Sequence, residues 1–148
     1  MKFEYSKHNA LWQYMAERAT ILKIADIVKS ILYDDYSDKY ENYDNVKDEV
    51  NHIIGITKRK YINSIYNEEV ICSCYACKAC NQTCYICPIK IGKCYEENSY
   101  FRKYIKAITD YIVIGGDEYI KKAHKYAIDI AMAGINGDII VAYGLEVK

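Results

Sequence analysis

All seven cysteines of this 148-residue chain fall in one stretch, "CSCYACKACNQTCYICPIKIGKC", from Cys72 to Cys94. Thiolates are soft ligands, and clustered thiolates are chemistry for a metal. Cys74-x2-Cys77 and Cys84-x2-Cys87 form two knuckles separated by six residues. A C-x2-C turn lets two thiolates converge on one cation, and two such turns complete the tetrahedron that zinc prefers. Four thiolates leave no open coordination position, so a zinc held this way is structural rather than catalytic. An iron–sulfur cluster competes, because Cys74-x2-Cys77-x2-Cys80-x3-Cys84 has ferredoxin spacing. The proline that follows the fourth ferredoxin cysteine is absent, however: Tyr85 stands there, and Pro88 follows Cys87 instead. Cys72, Cys80 and Cys94 are surplus to a zinc tetrahedron; they are the alternative ligands and keep the cluster open. Zinc is the expected metal.

A disulfide knot is disfavoured by the odd cysteine count and by the expected compartment. The N-terminus, MKFEYSKHNALW, lacks the basic, apolar, small-residue order of a signal peptide. No apolar run approaches the length of a membrane span, which predicts a cytoplasmic protein without membrane contact. Hydrophobic residues make up 51% and charged residues 27%, a globular rather than a disordered composition. The length suits a single domain, residues 1–148, with a zinc-binding module at 72–94 within it.

Other motifs carry little chemistry. "IGGDEY" at Ile114–Tyr119 resembles the GGDEF signature of diguanylate cyclases, which sits on a strand hairpin. Here it lies between helix-patterned segments, and Asp117 reads as an N-cap. The deaminase pattern fails because Pro88 follows its knuckle and no histidine begins H-x-E. No P-loop, H-E-x-x-H or G-x-S-x-G is present. His8, His52 and His124 are scattered and read as surface or partly buried side chains.

Charge is zero overall but uneven. Residues 34–49 hold seven acids against Lys39 and Lys47, and residues 50–125 hold twelve bases against seven acids. Such asymmetry bears on partners. Tyr33, Tyr36, Tyr40 and Tyr43 recur at steps of three and four, which reads as one face of one helix. Tyr36, Tyr40 and Tyr43, with the acids Asp38, Glu41 and Asp44, form a candidate partner-binding face; the competing reading makes the tyrosines core. Lys58, Arg59, Lys60 and Lys121, Lys122, Lys125 could touch phosphate, though zero net charge argues against general nucleic-acid affinity.

The elements that must position these residues are mainly helical. Leu11, Met15, Ala19, Leu22, Ala25, Val28 and Leu32 predict one amphipathic helix from Asn9 to Tyr33, with Trp12 beside the stripe. Tyr40, Tyr43, Val46, Val50 and Ile53 predict a second, weakened at Gly55 and followed by a shorter third. A helix resumes from Ser99 through Ile112, Gly115–Gly116 ends it, and another runs from Tyr119 to Ala133. The tail "DIIVAYGLEVK" suggests a short strand without an obvious partner. The fold expected is mainly α: a small helical domain with an inserted four-cysteine zinc-knuckle module and a short C-terminal strand.

"HNALWQYMA" (His8 to Ala16), C-x2-C, C-x2-C-P (Cys84 to Pro88) and "CYEENSYFRKYIKA" (Cys94 to Ala107) together resemble a group of small bacteriophage and prophage proteins. The resemblance implies metal ligands at Cys74, Cys77, Cys84 and Cys87, and by position makes Cys94 a fifth candidate. Residues 20–66 look like an insertion, and no activity comes with the group. By analogy with phage accessory proteins of this size, it implies a binding protein for a host defence component, anti-CRISPR proteins being one such class. A nucleic-acid-binding zinc protein and an iron–sulfur protein are the alternatives.

Overall fold

The computed structural model describes residues 2–35, 42–66, 96–142 and 144–148, and these are mainly helical. Helix α1 (Tyr5–Ala16) and helix α2 (Arg18–Asp35) stand where the periodicity predicts one continuous helix. The break is at Glu17, whose backbone is extended (φ −62°, ψ 135°) and whose N–H donates to the Tyr14 carbonyl. It resets the phase of the helix. Leu11 and Met15 are buried as the stripe predicts, but Ala19 is exposed and Leu22 half-buried. The inward face of α2 is instead Ile21, Ile24, Ala25, Val28 and Leu32.

Helix α3 (Tyr43–Tyr66) runs unbroken through Gly55. A single glycine costs only about 1 kcal/mol relative to alanine, less than the burial of Val46, Val50, Ile53, Ile54 and Ile62 along one face provides. The expected weakening and separate third helix are therefore not found. Asn42 caps the start of α3, its side-chain oxygen accepting from the N–H groups of Asp44 (3.1 Å) and Asn45 (3.2 Å).

Helix α4 (Tyr100–Val113) is capped by Ser99, whose hydroxyl oxygen accepts from the Arg102 N–H at 3.2 Å. Gly115 and Gly116 have φ of 84° and 110°, a region that L side chains seldom adopt, and they turn the chain into helix α5 (Asp117–Ala131). Asp117 is not the N-cap. That position belongs to Gly116, while Asp117 opens the first turn and pairs with Arg18.

The tail holds a short helix α6 (Gly137–Ala142) before strand β2 (Glu146–Val147). The strand has a partner after all: it pairs in parallel with strand β1 (Lys2–Phe3), Lys2 opposite Glu146 and Phe3 opposite Val147. Among the described residues, no helix is long and apolar enough to cross a membrane.

The packing brings the helices around one continuous buried cluster, with α4 against α5, α1 against α5, and α3 against both α4 and α2. Trp12 sits near its centre, edge-on to Phe101 (6.0 Å) and Tyr104 (5.6 Å). Helix ends are satisfied across the core. Tyr5, His8 and Asn9 of α1 donate to the carbonyls of Ala133, Ile130 and Ala131 at the end of α5. In return Tyr104 and His124 donate to the carbonyls of Met15 and Ala16 at the end of α1. These are carbonyls that a helix C-terminus leaves without an intrahelical donor. Helix α1 is thus held at both ends, at its start by the end of α5 and at its finish by Tyr104 of α4 and His124 of α5.

Candidate functional site

The cysteines assigned to a metal, Cys74, Cys77, Cys84 and Cys87 with Cys72, Cys80 and Cys94, lie outside the described residues. So do Tyr36, Asp38, Tyr40 and Glu41 of the partner-binding face. Among the described residues no group of three or more His, Cys, Asp or Glu is placed to hold a metal ion. What the described helices do fix is the frame at either side of the cysteine segment. Helices α3 and α4 are antiparallel, since Tyr43 at the start of α3 meets Asp110 late in α4, and Lys58 late in α3 meets Phe101 early in α4. The end of α3 and the start of α4 therefore lie at the same side of the core.

Of the tyrosine stripe, Tyr33 and Tyr43 are among the described residues, and they do not share one helix: Tyr33 belongs to α2 and Tyr43 opens α3, which Asn42 caps. Tyr43 is half-buried and donates its hydroxyl to Asp110 Oδ1 at 2.8 Å. Burial, then the neighbouring Asp110 carboxylate, push the Tyr43 phenol far above its ordinary pKa. Asp44, one residue on, is exposed.

Next to Tyr43 the surface opens into a cleft of about 590 Å³, lined by Tyr43, Lys47, Glu97, Asn98, Arg102, Lys103 and Lys106. The walls are built from helical spacing. Tyr43 and Lys47 are four apart on α3, Arg102 and Lys106 are four apart on α4, and Glu97 and Asn98 precede its cap. Asp110 is almost fully buried beside the cleft and is held by two donors, Tyr43 and, at 2.8 Å, the Lys106 ammonium. Lys103 lies near the rings of Tyr100 (5.6 Å) and Tyr126 (5.9 Å). The arrangement can bind and orient an anion.

The remaining candidates serve the fold. Lys58, counted among the bases that could touch phosphate, is buried, its ammonium over the rings of Trp12 (5.1 Å) and Phe101 (4.7 Å). Lys121 pairs with Asp117 at 3.7 Å, and Lys122 lies 5.3 Å from the ring of Tyr119. His8 is fully buried, not a surface or partly buried group, and His52 is exposed. Of the "GGDEY" residues, Gly115 and Gly116 form the turn and Asp117, Glu118 and Tyr119 open α5, so no strand hairpin is built here. Reading the sequence missed Lys47, Arg102, Lys103, Lys106 and Asp110. The signal available was the i,i+4 pair Lys106–Asp110 together with bases at 102, 103 and 106 on one flank of α4.

Comparison with known proteins returns no match to a family model, to a curated protein or to a solved structure.

Proposed function

We propose that this chain is a zinc-stabilised accessory protein that works by binding another protein, and that its partner is a component of a host defence system. The reading rests on the acidic end of α3. Asp44 is exposed in the first turn, and it continues a run that includes Asp38 and Glu41 within a segment of seven acids and two lysines. Such a surface attracts a basic partner and speeds its docking. The metal reading is supported by the two C-x2-C knuckles. Cys74, Cys77, Cys84 and Cys87 would hold the zinc, which when bound supplies a structural cross-link and no reactive position. The resemblance to phage and prophage proteins supports the defence setting by analogy alone.

The experiment expresses the chain in bacteria that carry a defined defence system, CRISPR–Cas among those tried, and measures phage plating efficiency. Plating is expected to rise with the native chain against at least one system. It should fall back in a variant carrying Asp38→Lys, Glu41→Lys and Asp44→Lys that keeps its helical circular dichroism. Unchanged plating against every system, or full activity in the folded triple variant, would overturn the reading.

A further inference from the structure

The α3–α4 cleft has a chemistry of its own. Among the described residues four cations, Lys47, Arg102, Lys103 and Lys106, line it, with one carboxylate, Glu97. Lys106 serves Asp110 and Arg102 has a partner of its own, so the cleft's available charge rests on Lys47 and Lys103. Lys47 and Lys103 have no acid partner among the described residues. Within α4, Arg102 and Lys106 stand about 6 Å apart along the axis at 1.5 Å per residue.

Aromatic rings accompany the cations. Tyr43 forms part of the wall. The rings of Tyr100 and Tyr126 lie 5.6 Å and 5.9 Å from the Lys103 ammonium. All three tyrosines are half-buried, each showing part of its side chain to solvent. Cations that follow a backbone, with rings on which bases stack, are the two components of single-strand nucleic-acid sites. An acidic peptide would satisfy the cations and leave the rings without a role.

We propose that the cleft between α3 and α4 binds a short run of single-stranded nucleic acid, with Lys47 and Lys103 on its phosphates and the adjoining tyrosines against its bases. Exposed Asp44 and Asp48, on the neighbouring face of α3, repel phosphate and confine the strand to the cleft. Lys106 stays with Asp110 and closes that end.

The test uses the full chain and a fluorescent mixed-sequence oligonucleotide of about 12 nucleotides, as DNA and as RNA, in about 50 mM salt. Anisotropy is expected to report binding that weakens as salt is raised. The double variant Lys47→Gln/Lys103→Gln should bind at least about tenfold more weakly, and its log–log salt slope should be shallower by about 1.4, or about 0.7 for each phosphate no longer neutralised. Lys23→Gln, on the exposed face of α2 away from the cleft, should bind as the native chain does. Circular dichroism of each variant confirms the fold. No oligonucleotide binding at low salt, or equal binding by the double variant, would overturn the proposal. Tighter binding of a matched duplex would overturn it as well, and tighter binding of a glutamate-rich peptide would reassign the cleft to acidic protein. The residues tested differ from those of the acidic end, so either proposal can fail while the other stands.

Discussion

His8 of α1 donates from Nε2 to the carbonyl of Ile130 at 3.0 Å, across 122 positions of sequence. The bond is fully buried, and its acceptor in the last turn of α5 also takes the Ala133 N–H at 3.3 Å. His124 makes the reciprocal contact from α5 to the carbonyl of Ala16 at 2.7 Å, at an exposed position. The same chemistry at two depths should have two different energies. Removing the buried His8 ring leaves a void in the core, whereas water takes the place of the exposed His124 ring.

His8→Ala is therefore expected to cost about 3 kcal/mol of folding stability, and His124→Ala about 1 kcal/mol. Urea unfolding followed by circular dichroism measures both. Equal losses in the two variants would show that depth does not govern these contacts.

Tyr104 provides a test by pH. It is fully buried, its hydroxyl donates to the Met15 carbonyl at 2.8 Å, and burial raises its phenol pKa far above the ordinary value. Burial likewise raises Tyr61, and burial with Asp110 raises Tyr43. A raised folded pKa means that the stability is complete below the unfolded pKa, near pH 10, and is lost as pH climbs from there toward the folded value. The unfolded chain releases these protons first. Stability should accordingly be insensitive to these groups up to about pH 9.5 and then fall, with each such tyrosine contributing up to about 1.4 kcal/mol per pH unit. Tyr104→Phe should be less stable at neutral pH by about 1 kcal/mol, for want of the hydrogen bond, but should show a shallower alkaline decline. A decline as steep as that of the native chain would mean that Tyr104 ionises as freely folded as unfolded.

Much of the helical architecture is legible in the periodicities, because Val46, Val50 and Ile53, or Tyr104, Ile105 and Ile108, repeat at the spacing of a buried face. The break at Glu17 is not legible, since neither glycine nor proline marks it. It is stabilised from a distance by Tyr104 and His124, which take the carbonyls that the ended helix gives up. The pairing of β1 with β2 is equally hidden: two residues at each terminus are too few to show a period. The cleft is half-visible. The bases of α4 stand out as a run, but their meeting with Tyr43 and Lys47 depends on the antiparallel packing of α3, which no local pattern encodes. The cysteine spacing is the reverse case, where sequence alone carries the argument.

That spacing yields the remaining prediction. Two C-x2-C knuckles should load one zinc per chain, giving a colourless protein. A brown preparation with stoichiometric iron would instead establish a cluster. Removing the metal should leave most of the fold. Trp12, Leu11, Met15, Ile24, Val50, Ile54, Ile105 and Ile108 are buried against one another on helices that lie outside residues 72–94. Isolated zinc fingers unfold without metal because they have no such core; this chain has one. Chelation, or Cys74→Ser with Cys77→Ser, should thus abolish zinc binding while most of the helical circular dichroism persists. Sensitivity to proteolysis should increase between the end of α3 and the start of α4, with cuts mapping to residues 67–95. Complete loss of helix on chelation would mean that the metal is needed to hold α3 against α4, and the separation of core from module would be wrong.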